Sequence, residues 1–368
     1  MSLVPRALAA LTAALVAVLP AAAQESKVLN VFNWGDYIAP DTIKNFEKET
    51  GIKVRYDNFD SNEVLHARLA AGKTGYDIVV PGSHFAKMQI EGGLLQPLDK
   101  SKIPNLKNLD PAIQSQLAKL DPDNRHLVVW LWGYTTVGIN ADKVKKALGT
   151  MPMPDNAWDL VFKPEYVSKL RSCGVAVLDS ASEIVPIALN YLGKNPQSTS
   201  ADDYKAVADL LKGMRPSVTR FAGSGSDYIN QMAAGSLCAV IGWSGDIAIA
   251  RDRSAKAKAP QNLQVLTPPG ALLFFDTMAI PKDAPNVENA HKWIDYILRP
   301  EVHASLTNSV FYANPNLESR RYVKPALASD KAVFPDAAAL SKMIVPGMPD
   351  QATRRLITRT FTNFKANR

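Results

Sequence analysis

The sequence predicts an α/β protein of two lobes, each a mostly parallel sheet flanked by helices, with a ligand cleft between them. Three observations carry this. The 368 residues suffice for about two domains. Short β-rich runs alternate with amphipathic stretches, the order of a parallel sheet wrapped by helices. Two such sets follow one another, and no internal repeat relates them.

In the first set, Val28–Asn33 is a β-rich run. Asp41–Thr50 is amphipathic, with Pro40 leading in and Gly51 placed to end it. Ile52–Tyr56 is the next strand by its β-branched content. Ser61 can cap a helix running to Ala71 that Gly72 stops. Tyr76–Val80 is a near-continuous apolar strand closed by Pro81-Gly82, and Leu127–Trp132 and Thr136–Asn140 continue the pattern. In the second set, Val175–Leu178, Cys238–Trp243 and Leu272–Ile280 are strands. Ser182–Tyr191, Ala201–Lys212 and Asp227–Ala234 are helices among them. The rest is helical: Val287–Leu298, Glu301–Asn308 and Asp350–Phe364. In open α/β sheets ligands bind beyond the carboxyl ends of the strands, so the turns there are where function is sought.

The N-terminus points to export. Arg6 is a positive n-region, Ala7–Leu19 an apolar run too short for a comfortable membrane span, and Ala21-Ala22-Ala23 a small-residue cleavage site. Residues 1–23 therefore read as a cleaved signal, with Gln24 starting the mature chain. No cysteine lies there to carry a lipid, so a soluble protein in a bacterial periplasm is expected. Beyond residue 23 no apolar stretch is long enough to span a membrane.

With 46% hydrophobic residues the chain can build a large core, which excludes global disorder. The 42 Lys and Arg exceed the 35 Asp and Glu by a net +7, spread along the chain rather than gathered into a patch, which demotes nucleic-acid binding. The 2 cysteines, Cys173 and Cys238, form one disulfide or remain two buried thiols. A disulfide closing that loop is worth about 4 kcal/mol in the chain-entropy model. Neither belongs to a C-x-x-C pair, so redox catalysis and zinc binding are not expected.

Enzyme motifs are missing. The 5 histidines have no ligand spacing, and no cofactor or metal is implied. Gly242-Trp243-Ser244-Gly245-Asp246 is out of register for a nucleophile elbow. Gly223-Ser224-Gly225-Ser226 lacks the lysine of a phosphate loop and reads as a turn.

What stands out is aromatics beside acids at strand ends. Trp34, Asp36 and Tyr37 follow the first strand; Trp243 and Asp246 follow another. Phe274 and Asp276 sit in an apolar run, where an unpaired acid is costly. Glu183 follows the strand ending at Leu178, Ser83 follows Pro81-Gly82, and Tyr312 ends a helix–loop passage. Ring faces attract cations, and carboxylates accept charge-assisted bonds from ammonium groups. Such a box suits an organic cation with an alkyl body. Each residue also has a structural alternative, since acids and serines favour helix N-termini and Trp34 and Trp243 could be packing. Trp130 and Trp132, on one strand face, read as core.

Here the chain resembles the periplasmic polyamine-binding proteins of ABC importers, most closely the putrescine-binding type. The resemblance spans the mature chain. It is carried by Leu29–Pro40 with its Asn33-Trp34-Gly35-Asp36-Tyr37, by Gly75–Ser83, by Asp179-Ser180-Ala181-Ser182-Glu183, by Trp243-Ser244-Gly245-Asp246, by Phe274-Phe275-Asp276 and by Tyr312-Ala313-Asn314-Pro315. It implies a type II two-lobed binding fold that closes on ligand. It implies a diamine site walled by Trp34, Tyr37, Trp243, Phe274 and Tyr312, with Asp36, Ser83, Glu183, Asp246 and Asp276 as polar contacts. It also implies that Cys173 and Cys238 pair. The expected lobes are 27–136 with 277–320 and 137–276 with 321–368, crossing near 133–140, 270–280 and 312–325. The expected partners are a small-molecule polyamine and an inner-membrane permease with its ATPase; the chain itself is expected to be a monomer.

Gly35 departs from the family, which usually has Ser or Thr there, so one hydroxyl contact to an ammonium is missing. That leaves spermidine, agmatine, cadaverine or a basic opine as alternative ligands. The positive net charge does not steer a dication, so local acids must do the work. An exported hydrolase using paired carboxylates is the rival from another class, and an adhesive protein a third.

Overall fold

The computed structural model describes residues 26–223 and 225–367. The expected signal segment, residues 1–23, lies outside them, as does Ser224. Nine strands are described: β1 (Val28–Trp34), β2 (Lys53–Phe59), β3 (Ile78–Val79), β4 (Val128–Asn140), β5 (Val175–Leu178), β6 (Arg220–Ala222), β7 (Ala239–Trp243), β8 (Leu263–Val265) and β9 (Leu272–Met278). They form two sheets.

The first sheet has order β2-β1-β3, all parallel. Its crossover helices form where the sequence marks their ends. Thr42–Thr50 stops at Gly51, whose φ of 69° is left-handed. Asn62–Ala71 begins at Ser61, whose hydroxyl accepts from the Val64 amide at 3.2 Å. Both faces of β1 are covered: Leu29 and Val31 pack into the main core, Phe32 into a second cluster with Phe59, Leu65 and Val79. The apolar run Tyr76–Val80 yields only a two-residue strand, which pairs with β1 at Val31–Ile78 and Phe32–Val79.

The second sheet has order β6-β5-β7-β4-β8, with β9 also on β4. β5, β6 and β7 run parallel, whereas β4 is antiparallel to β7, β8 and β9, so this sheet is mixed. The two strands expected over 127–140 are one continuous strand, buried along its whole length. Pairing with β9 along Val128–Thr135 and with β7 along Thr135–Ile139 overrides the weak strand preference of Gly133. β9 also reaches the first sheet: Val79 bridges Ala279, and Gly82 bridges Asp276. The β4–β9 ladder is thus the structural bond between the sheets.

The C-terminal helix Gln351–Lys365 packs on the helices Ala181–Tyr191 and Ala201–Met214 beside the second sheet. Cys173 and Cys238 are disulfide-bonded, tying the approach to β5 to the start of its neighbour β7. Trp130 is fully buried and Trp132 nearly so, both core as expected, but they pack into different clusters rather than on one shared face, because the β4–β9 register shifts between Val129 and Leu131. Among the described residues no helix is long and apolar enough to cross a membrane.

Candidate functional site

A cleft of about 680 Å³, counting space open to solvent at its mouth, lies where strand ends from both sheets meet. Eight of the ten residues singled out from sequence line it: Trp34, Tyr37, Glu183, Trp243, Asp246, Phe274, Asp276 and Tyr312. Local structure explains each placement. Trp34 ends β1 and Trp243 ends β7. Glu183 and Asp246 occupy the first turns of the helices after β5 and β7. Phe274 and Asp276 are two apart on β9 and so share a face, while Phe275 points into the core behind. Tyr312 follows the helix Pro300–Val310, which ends at Phe311 with a left-handed φ of 59°. The Trp132 amide then donates to the Ala313 carbonyl at 2.8 Å and pins the segment to β4.

The rings form a wall. Trp34 meets Trp243 edge-on at 5.9 Å, and Tyr37 meets Tyr312 edge-on at 4.9 Å. Trp34 is fixed by its indole N–H, which donates to the Val80 carbonyl at 2.9 Å. The Tyr312 ring lies flat against backbone. A Cβ on Gly245 would stand 2.2 Å from it, and one on Gly133 2.8 Å, so only glycine fits at either position.

The three acids are buried at 6–7% exposure. Tyr37 donates to Asp276 at 2.9 Å. Tyr312 donates to one Asp246 oxygen at 2.7 Å and Tyr228 to the other at 2.8 Å. Trp243 donates its indole N–H to Glu183 at 2.9 Å, and the Thr135 hydroxyl donates to the same oxygen. Among the described residues no Lys, Arg or His forms an ion pair with any of the three. Burial therefore pushes Asp276 up to about 8 and Asp246 up to about 6, and raises Glu183. The negative neighbours Glu183 and Asp246 add to the effect on Asp276.

Asp36 and Ser83 do not line the cleft. Asp36 has a left-handed φ of 54°, and its carboxylate accepts from Arg253 at 3.0 Å and from the Ser226 hydroxyl, both on helices of the second sheet. It is neither a helix cap nor a wall of the box. Ser83 is buried at the start of the helix Ser83–Glu91, and its neighbours Gly82 and His84 line the cleft instead.

Sequence reading missed Phe59, Asp60, Asn62, Gly82, His84, Ser226 and Leu272 as cleft residues, and Tyr228 as the second hydroxyl on Asp246. A signal existed for the Phe59-Asp60 pair, an aromatic and an acid closing β2 as Trp34 and Asp36 follow β1. None existed for His84 or Tyr228, which sit in ordinary helical turns. Among the described residues no group of three or more His, Cys, Asp or Glu is placed to hold a metal.

Residues 41–335 match the family model described as bacterial extracellular solute-binding protein. The putrescine-binding periplasmic protein PotF of Escherichia coli is 46% identical over 94% of this chain and 93% of its own. The putrescine-binding periplasmic protein SpuD of Pseudomonas aeruginosa is 45% identical over 95% and 94%. Among solved structures, the spermidine/putrescine ABC transporter substrate-binding protein of Streptococcus pneumoniae superposes with a TM-score of 0.74. It is 28% identical over 93% of this chain and 99% of that one.

Proposed function

This chain belongs to the bacterial extracellular solute-binding protein family, and on that premise we propose that it captures a polyamine in its cleft and delivers it to an ABC permease. It is a binding protein of the periplasm, not an enzyme, with the two-lobed type II fold. Putrescine is the first choice of ligand. The observation that carries this is the cleft itself: Glu183, Asp246 and Asp276 are buried together behind aromatic walls, and none forms an ion pair among the described residues. Such a site is costly when empty, and a diammonium ion removes the cost. Its alkyl body lies against Trp34, Trp243 and Phe274; its ends meet the acids, whose outer positions are already fixed by tyrosine and tryptophan donors. Tyr228 and Tyr312 orient Asp246, Tyr37 orients Asp276, and Trp243 with Thr135 orient Glu183.

The lobes are 27–136 with 277–320 and 137–276 with 321–368, and β4 and β9 carry two of the crossings. Ligand favours the closed arrangement by its differential affinity for it. The Asp36–Arg253 contact belongs to the closed form. The protein works as a monomer that meets its permease in that form.

Calorimetric titration tests this. Protein unfolded and refolded to strip ligand is titrated with putrescine, cadaverine, agmatine, spermidine and an acidic amino acid at one salt concentration. Tight diamine binding with no response to the acidic amino acid is expected. Silence toward every amine overturns the reading.

A further inference from the structure

We propose that the end of the second sheet farthest from the cleft carries an electrostatic docking surface for an anionic lipid membrane. The cations that form it are spread along the chain, and the fold gathers them. Lys145 and Lys146 stand in the last turn of the helix Ala141–Leu148, and Lys169 in the last turn of the helix Pro164–Leu170. Arg171 opens the single helical turn Arg171–Cys173 that follows. The first of these helices packs against both of the others. All four side chains are exposed, and none of their charged groups forms a hydrogen bond or ion pair among the described residues. Lys258 is exposed in the adjoining loop, which Gln261 ties to Asn140, the residue before the first helix, at 2.9 Å. The acids on these elements are Asp142, which accepts from the Asn262 amide at 3.0 Å, and Glu165 in the first turn of its helix.

The patch lies opposite the ligand. Cys173 and Cys238, joined by their disulfide, precede β5 and β7 at this end, whereas Trp243 at the other end of β7 lines the cleft. The length of β7 alone holds the two apart by roughly 13 Å. A partner that reads closure must touch both lobes, since their relative position is what changes. This surface belongs to one sheet and carries no such information. Specific protein interfaces are anchored by large apolar or aromatic side chains. Among the described residues the large exposed hydrophobics are Val64, Met153, Leu317, Tyr322 and Val345, and of these only Met153 follows one of the patch elements, in the loop after Leu148. Unpaired cations with so little apolar anchoring suit a surface of anionic headgroups, where each lysine or arginine within a Debye length adds to binding. The positive net charge, which opposes a dication, thus acts away from the cleft. It holds the protein loosely at the membrane and leaves the cleft free.

Sedimentation with lipid vesicles tests this, whatever ligand the cleft takes. The purified chain is mixed with vesicles of phosphatidylcholine alone and of phosphatidylcholine with an equal part of phosphatidylglycerol. It is expected to bind only the second kind, and to be released in high salt. Lys145→Gln with Lys146→Gln, and Lys169→Gln with Arg171→Gln, are each expected to weaken that binding roughly 25-fold, about fivefold for each cation lost. Lys44→Gln with Lys48→Gln removes the same charge from the exposed face of the helix Thr42–Thr50, beside the first sheet. That control is expected to weaken binding by less than about threefold. All six substitutions alter exposed side chains, and thermal melts verify that each variant folds. Equal losses in the three double variants, or unchanged binding in both patch variants, overturn the proposal. Absence of binding to the phosphatidylglycerol vesicles also overturns it, in favour of an acidic protein surface as the partner.

Discussion

The Arg253 guanidinium donates to the Asp36 carboxylate at 3.0 Å, joining the turn after β1 to the helix Ser244–Ala255 of the other sheet. Both side chains are about one-third exposed, so the pair is partly screened. An exposed ion pair of this kind contributes about 0–1 kcal/mol. Arg253→Ala is expected to speed diamine release up to about fivefold while changing the association rate little. Stopped-flow kinetics read this directly, and the difference from wild type should shrink in 1 M salt, where the Debye length is about 3 Å. An unchanged release rate at low salt would remove the pair from the closure mechanism.

With Asp276 and Asp246 as the proposed ammonium contacts, diamine binding is expected to depend on pH. In the free protein their carboxyls titrate near 8 and 6, raised by burial, and a bound dication needs them ionised. Protons held by the free site must leave on binding. Putrescine affinity is therefore expected to fall as pH drops from 8 to 6, by up to tenfold per unit for each proton released. Calorimetry in buffers of different ionisation enthalpy counts those protons. No proton release at pH 7 would contradict the raised carboxyls.

Asp276→Asn separates binding from stability. If Asp276 meets the cation as proposed, the substitution removes that carboxylate, at an expected loss of about 1.5–3 kcal/mol or more in diamine affinity. It also relieves the ligand-free protein. A carboxyl raised to about 8 in the fold, against an ordinary 3.8, costs stability that grows as pH rises from about 4 and is complete above 8. Thermal melts of the ligand-free variant should accordingly exceed wild type by more at pH 8 than at pH 5. Near-native affinity in the variant would exclude Asp276 from the site.

Gly245→Ala tests the packing of Tyr312. The added Cβ would stand 2.2 Å from the ring, which must move and release Asp246. Diamine affinity is expected to drop at least tenfold. Gly35→Ser is the contrast, because its Cβ meets only the Ser226 hydroxyl, at 3.8 Å. That variant should fold normally and restore a hydroxyl at the cleft wall.

Trp243→Ala and Trp130→Ala should fail differently. Trp243 holds Glu183 and walls the cleft, so its loss falls on affinity. Trp130 is fully buried in the core, and its truncation is expected to cost about 3–5 kcal/mol of stability with affinity retained in the folded fraction. Denaturant melts beside titrations separate the two, and the reverse pattern would move the cleft elsewhere.

Much of this protein is local and therefore legible. Ser61, Gly51 and Gly72 mark helix ends because caps satisfy backbone groups within a few residues of themselves. Trp34, Trp243 and Glu183 could be found because parallel strands present their carboxyl ends to one side, whatever the exact packing, and Asp276 because an acid inside an apolar run is costly without a purpose. Other features depend on distant chain. Asp36 looks like its motif neighbours, but a left-handed backbone turns it to Arg253, 217 residues away. Glycine at 245 has its reason in the Tyr312 ring, which arrives after the helix Pro300–Val310. β4 runs through its two glycines because β9 pairs it at Gly133 while β7 and β8 pair it at Gly138. His84 stands in a helical turn that nothing local distinguishes; only the fold brings it to the cleft lining and buries its ring nitrogens without a hydrogen-bond partner among the described residues. The sequence by itself determined which strand ends carry aromatics and acids, since side-chain chemistry and short-range periodicity are written residue by residue. The tertiary structure decided which of them meet, because burial and pairing arise between segments whose separation along the chain sets no distance in space.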